Sequence, residues 1–299
     1  VVLQDMAAVR EGKVAFMFLT RGGLNAEETW AEFLGGAPSA HFSLYAHTKT
    51  PPPPSSLLSR ARIREHVPTE WGTASLVRAT LALLRAALTD EENVRFVLLS
   101  ESCVPLYPFA RVRVELLADA RGWLSHAPTP AWMIHQKGPT REFVRWSAAL
   151  QPLVRTPAEL RKQQQWTAFS RELAALFVEP GADHTALWEA DGLFAPDEHY
   201  FVSVAAHELR RRGRAPADMD AAACLDLVAL NRRLTYVEWG VVGNGRAPLR
   251  LHTVSAELLE RARAEGCLFV RKIAPGANLS LLRASWRCVR GDSVQRGSG

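Results

Sequence analysis

With 299 residues, 47% of them hydrophobic and 22% charged, the chain can bury a large core, which sets the expectation of one big α/β domain or two smaller ones. A formal charge of +5 and an isoelectric point near 9.3 favour anionic ligands. The arginines, however, are spread along the chain without the basic stripe and interleaved aromatics of a nucleic-acid binder, so nucleic acid is not expected as a partner. No apolar run is long enough to span a membrane, and Cys103, Cys224, Cys267 and Cys288 form no C-x-x-C pair of the kind that holds zinc. One or two disulfides and a fully reduced set are both compatible with their spacing.

The chain opens on Val1-Val2 and becomes strand-like within a dozen residues, which reads as a fragment whose natural N-terminus, with any signal or anchor, has been removed. The run 13-KVAFMFLTRG-22 is continuously apolar and then polar, predicting a buried strand that leaves its sheet at a loop. A helix follows from about Asn25 to Leu34. Next, 41-HFSLYAHTKT-50 predicts a strand that stops at Pro51 to Pro54, an extended loop. Between Thr73 and Leu88, Leu76, Val77, Ala79, Thr80, Leu83 and Leu84 recur at helical spacing. The segment 94-VRFVLLSES-102 is a further buried strand. Alternation of strand and helix with apolar central strands predicts a mainly parallel sheet covered on both faces, with ligands at the carboxyl ends of its strands. Those ends are Thr20-Arg21, His47-Thr48-Lys49 and Ser100-Glu101-Ser102. The second half is less regular. Helices are expected around Trp166 to Phe177, Glu198 to Arg210 and Leu258 to Ala264, with apolar segments at 234-LTYVEWG-240 and 267-CLFVRKI-273. There is no internal repeat, and the only linker-like stretch inside is the Pro51 to Pro54 loop, so a single domain is expected.

Familiar motifs are missing. Gly22-Gly23 follows the first strand without the third glycine of a dinucleotide fingerprint or the Lys of a P-loop. Asp218-Met219-Asp220 spells D-x-D, but in a Pro/Ala-rich loop where a solvated turn is the expectation. The cluster 209-LRRRGR-214 reads as a solvated helix end, and no histidine stands at metal-ligand spacing with a second His or an acid. The adjacent acids of 196-PDEHY-200 are ambiguous, since acids also cap helix N-termini. His199 beside them reads as helix surface.

Seven blocks occur in a recognisable order: 14-VAFMFLTRG-22, 70-EWGTASLVRA-79, 96-FVLLSESCVPL-106, 164-QQWTAFSREL-173, 196-PDEHY-200, 235-TYVEWG-240 and 268-LFVRK-272. Together they resemble the core 2/I-branching β-1,6-N-acetylglucosaminyltransferase family, especially its plant and algal branch-domain members. The resemblance runs from about Lys13 to Lys272. It implies a GT-A-like glycosyltransferase fold over 1–299, with a core at about 13–273 and a peripheral tail at 274–299. It further implies inverting transfer of a sugar from a UDP-sugar to a hydroxyl of a glycan or glycoprotein acceptor. GlcNAc is the default sugar and glucuronate the alternative, because plant relatives include glucuronosyltransferases. A non-catalytic sugar- or nucleotide-binding protein on the same fold is a rival of another class.

In the family's terms Glu198 matches the general base, and Asp197 reads as a neighbour that caps or orients. Lys272 matches the diphosphate lysine; Arg250 is the partnering cation, with Arg246 in reserve. The family's characterised animal members replace the D-x-D metal with such a cation pair, so no metal and no cofactor beyond the UDP-sugar are expected. Thr20, Arg21, His47 and Ser75 are nucleotide candidates, although Thr48 stands where animal members have an acid. Glu101 and Trp239 are acceptor candidates, and Trp166 is structural with a role in the pocket. An acid-bearing donor would call on Arg271 or Arg21 as an extra cation. The expected location is the Golgi lumen, as a type II membrane protein whose anchor is outside this fragment.

Overall fold

The structure is a computed structural model that describes residues 11–138, 141–242 and 245–291. Lys13–Thr20 (β1) is buried from Val14 onward because it lies inside the sheet. It runs parallel to Phe42–Thr48 (β2) on one side and to Asn93–Leu99 (β3) on the other. A strand covered on both faces has no solvent side to make polar, which is why this one reads as an unbroken apolar run. Beyond β3 the sheet continues with Ala168–Ser170, Gly122–Trp123 and Ala229–Leu230. Of these six strands only Ala168–Ser170 runs against the others. The mainly parallel sheet expected from the sequence is therefore present, with one reversed strand inside it.

Register and side-chain alternation define the two faces. Ala15 pairs with Phe96 and Phe96 with Phe169, so these three share one face while Phe16 takes the other. On the Phe16 face, Phe16 and Phe18 meet Trp30 edge-on at 5.9 and 4.9 Å, anchoring the helix Glu27–Gly35. On the opposite face Phe169 meets Phe177 and Phe201 at 5.3 and 5.1 Å. Those two rings come from the helices Arg171–Val178 and Tyr200–Arg211. Trp30 also stacks on Phe269 at 6.2 Å. That contact joins the main core to a smaller sheet in which Phe269–Arg271 lies between Thr235–Val237 and Val104–Pro105.

Three expectations change. The predicted helix around Trp166 to Phe177 begins as the strand Ala168–Ser170 and becomes helical at Arg171, where the Ser170 hydroxyl caps it by accepting from the Leu173 N–H at 3.2 Å. The predicted helix from Glu198 starts at Tyr200, after a single 3₁₀ turn Pro196–Glu198. Residues 274–299 are not all peripheral, since the helix Ser280–Gly291 buries Leu282 and Trp286, the latter against Phe33 at 6.0 Å. Among the described residues Cys103, Cys224 and Cys267 carry free, buried thiols, while the Cys288 side chain lies outside them. No described helix is long and apolar enough to cross a membrane.

Candidate active site

A cleft of about 1320 Å³ opens over the carboxyl ends of β1, β2 and β3. Thr20 and Arg21, Lys49, and Ser100 with Glu101 are contributed by the turns after these strands, where a parallel sheet leaves room for a ligand. The remaining walls come from the loop at 69–72, from the middle of the chain between residues 125 and 133 and at Arg145, and from the second half: Lys162 to Trp166, Asp197 and Glu198, then Trp239, Arg250, Arg271 and Lys272. Backbone hydrogen bonds hold the cationic wall in place. The Leu251 N–H donates to the Lys272 carbonyl and the Ile273 N–H to that of Ser102, both at 2.9 Å. Arg250 and Lys272 are thereby fixed beside the end of β3.

Glu198 lines the same cleft from the end of the turn Pro196–Glu198. Ala195, before that turn, has a left-handed backbone (φ 52°), and its N–H donates to the Gly72 carbonyl at 2.9 Å. Neither acid caps a helix, since the following helix begins with no side-chain cap. The Glu198 carboxylate instead accepts an ion pair from Lys162 at 3.0 Å, with both side chains about one-third exposed to the cleft. Arg145, stacked 4.9 Å over Phe194 and donating to the Met133 carbonyl, adds positive charge nearby. The family resemblance pointed to neither Lys162 nor Arg145. Lys162 stands two residues ahead of the block 164-QQW-166.

Asp197 caps no helix. Its carboxyl is buried with one oxygen unpartnered, and burial, followed by the charge of Glu198, pushes its pKa up to about 7. His199 is likewise not on the surface. It is buried, donates from Nδ1 to the Arg161 carbonyl at 2.8 Å, and is pushed down by burial to about 3, so it stays neutral.

Also in the cleft, burial and the charges of Arg271 and Arg250 hold Lys272 below the ordinary lysine range, with a smaller push from Arg21. Four cations crowd one patch, and Glu101 is the acid facing it. Thr20 lines the cleft with its hydroxyl donating to the Gly22 carbonyl at 2.7 Å. Trp239 lines it too and is 49% exposed, free to offer a ring face. Trp166 is buried at the cleft floor.

Two candidates fall elsewhere. His47 is a buried residue of β2 and does not line the cleft, accepting from the Val67 N–H at 2.9 Å and stacked on His66 at 5.3 Å. Burial and His66 push its pKa down, and its place is structural. Ser75 is spent on the turn before its helix, its hydroxyl accepting from the Glu70 N–H at 2.8 Å. The Arg246 side chain lies outside the described residues. Asp218 is exposed, and Asp220 caps the helix Ala221–Asp226 through bonds from the Ala222 and Ala223 N–H groups. The D-x-D is therefore a turn, as its context predicted.

The histidine expectation needs correcting. His184, His207 and Glu208 converge away from the cleft, with both imidazole Nε2 atoms within 3.9 Å of the same Glu208 oxygen. Glu208 is already bound by Arg211 and Arg212. Burial would raise its pKa, but these bonds outweigh that and hold it at about 2. Arg211 and Arg212 of 209-LRRRGR-214 thus pair with a buried carboxylate, while Arg211 and Arg214 are exposed as a solvated helix end would be.

The family model described as Core-2/I-Branching enzyme matches residues 14–263, and the chain belongs to that family. A curated relative, Glycosyltransferase BC10 of Oryza sativa subsp. japonica, is 30% identical over 179 residues, covering 56% of this chain. The match spans 40% of that relative's length. Family and relative together support an enzyme of the glycosyltransferase class.

Proposed function

We propose that this chain, on a GT-A-like scaffold, transfers a sugar from a UDP-sugar to a glycan hydroxyl with inversion, Glu198 acting as general base. The observation that carries the reading is a single cleft that holds both a positioned carboxylate and the Arg250–Lys272 pair. In the reaction the acceptor oxygen attacks the anomeric carbon and its proton passes to the Glu198 carboxylate. The bond from that carbon to the β-phosphate oxygen breaks, and UDP leaves with the electron pair. Lys272 and Arg250 neutralise the charge that develops there, which is the largest electrostatic demand of the step. Lys162 keeps the carboxylate aimed into the cleft, Arg21 and Thr20 line the nucleotide end, and Trp239 and Glu101 offer the acceptor a ring face and a hydrogen-bond acceptor. Because fixed cations meet the diphosphate, no divalent ion is required. GlcNAc is the proposed sugar, and the Golgi lumen is the proposed setting.

UDP release with a panel of UDP-sugars, including UDP-GlcNAc and UDP-glucuronate, over a mixed glycan acceptor pool tests the proposal. Release with one donor, unaffected by EDTA, is expected. Glu198→Gln should lower it by about 10²- to 10⁴-fold with UDP affinity and Tm retained. A variant as fast as the parent would remove Glu198 from the role of base. Loss of release in EDTA would overturn the cation-pair account.

A further inference from the structure

Elsewhere the terminal nitrogens of the buried and half-buried arginines donate to oxygens of the protein. Arg95 donates to the carbonyls of Arg121 and Asp119, Arg145 to that of Met133, and Arg263 to Leu106 and Ser285. Arg271 differs. It is half-buried at the cleft, and although its enclosed Nε is unpartnered like those of Arg95, Arg145 and Arg263, no described residue accepts a hydrogen bond from its terminal nitrogens either. Its position is set by an aromatic ring, with the guanidinium carbon 4.6 Å from the centre of the Trp166 ring. Stacking holds a guanidinium in place while leaving its edge donors unused. The backbone restrains it as well, since Arg271 pairs with Val237 inside the small sheet.

The surroundings define the ligand it awaits. Arg271 adjoins Lys272, which in turn feels Arg250 and Arg21. Glu101 is close enough to interact electrostatically but accepts no bond from it. A half-buried guanidinium with no acceptor in the protein, inside a patch of like charge, costs stability unless an anion arrives to satisfy it. Cations crowded together without carboxylates in contact suit a ligand that brings several anionic oxygens at once, as a diphosphate does.

We infer that Arg271 is a third diphosphate-binding cation, set beside Lys272 and Arg250, and that Trp166 is the residue that positions it. The inference rests on the proposed UDP-sugar reaction and extends it. A planar guanidinium can grip two phosphate oxygens at once, which the ammonium of Lys272 cannot do.

The test compares UDP with uridine by calorimetry in the wild type, Arg271→Gln, Arg271→Lys, Trp166→Leu and Lys272→Gln, with Tm recorded for each. Arg271→Gln should weaken UDP by about 10-fold or more and leave uridine unchanged, because a charge-assisted bond to phosphate is lost and no base contact is touched. Arg271→Lys should recover part of that loss. Trp166→Leu should weaken UDP more than uridine, a selectivity that general loosening of the cleft would not produce. Unchanged UDP affinity in Arg271→Gln alongside a loss in Lys272→Gln would overturn this inference and leave the wider reading standing. Turnover lost with UDP-glucuronate alone, at unchanged UDP affinity, would also overturn it, by turning Arg271 toward the sugar. Failure of the wild type to bind UDP would remove the wider reading itself.

Discussion

Adjacent residues in 196-PDEHY-200 do different things because Glu198 is the partly exposed one of the five and its neighbours are buried. Glu198 reaches the cleft and pairs with Lys162, while Asp197 is buried beside it. The Asp197 shift has a thermodynamic consequence. Its folded pKa of about 7 stands above the roughly 3.9 of an unfolded chain, so between those values the folded protein binds more protons. The stabilising contribution is full below about pH 4, shrinks as pH rises, and is gone above about pH 7. Asp197→Asn, which cannot ionise, should flatten this part of the profile and be relatively more stable than the parent at pH 8. Urea denaturation between pH 4 and 8 measures it, and parallel profiles for the two proteins would refute the assignment.

Among the elements, the turn Pro196–Glu198 and the loop at Trp71-Gly72 behave as one unit. Gly72 has φ 79°, and a Cβ there would lie 2.5 Å from the Phe194 ring. Phe194 is the residue before Ala195, whose N–H bonds back to the Gly72 carbonyl. Gly72→Ala therefore meets both a strained backbone and a clash, at a cost of about 1–3 kcal/mol. The clash is relieved by moving Phe194 and, with it, the approach to Glu198. We expect a lower Tm and a larger fall in kcat than the stability loss alone explains, while UDP affinity is kept. Calorimetry and UDP-release kinetics on the same preparation decide it, and a fall in Tm with kcat unchanged would uncouple the two loops.

For the whole molecule, the cleft joins strand ends from the first third of the chain to segments from its middle and last thirds, and four cations, Lys272 among them, cluster in it. Clustered charge in a cleft focuses the field on an anionic ligand, and salt screens it. The KM for the UDP-sugar should rise with sodium chloride, the acceptor KM changing little for a neutral acceptor. A donor KM independent of salt would contradict an electrostatic diphosphate site.

Much of the sheet was legible in the sequence. An unbroken apolar run such as 14-VAFMFL-19 and the helical spacing from Leu76 to Leu84 are local signals, and each appears where it was expected, in β1 and in the helix Ser75–Leu88. The strand Ala168–Ser170 was not legible. Three residues pairing antiparallel between two distant partners carry no period of their own, and the helix that follows dominates the pattern. Among site candidates, Lys272, Arg250, Glu198, Thr20, Arg21, Glu101 and Trp239 do share one cleft, whereas His47 and Ser75 are used internally. Which face of its strand His47 takes, that Lys162 stands 3.0 Å from Glu198, and that Arg271 is held by Trp166 with no acceptor all depend on chains of residues meeting across long sequence separations. Periodicity along the chain and the order of its motifs determined the elements and the family. Only the tertiary structure decided which polar side chains are buried and which face the cleft, because burial is a property of what packs alongside a residue and not of its neighbours in sequence.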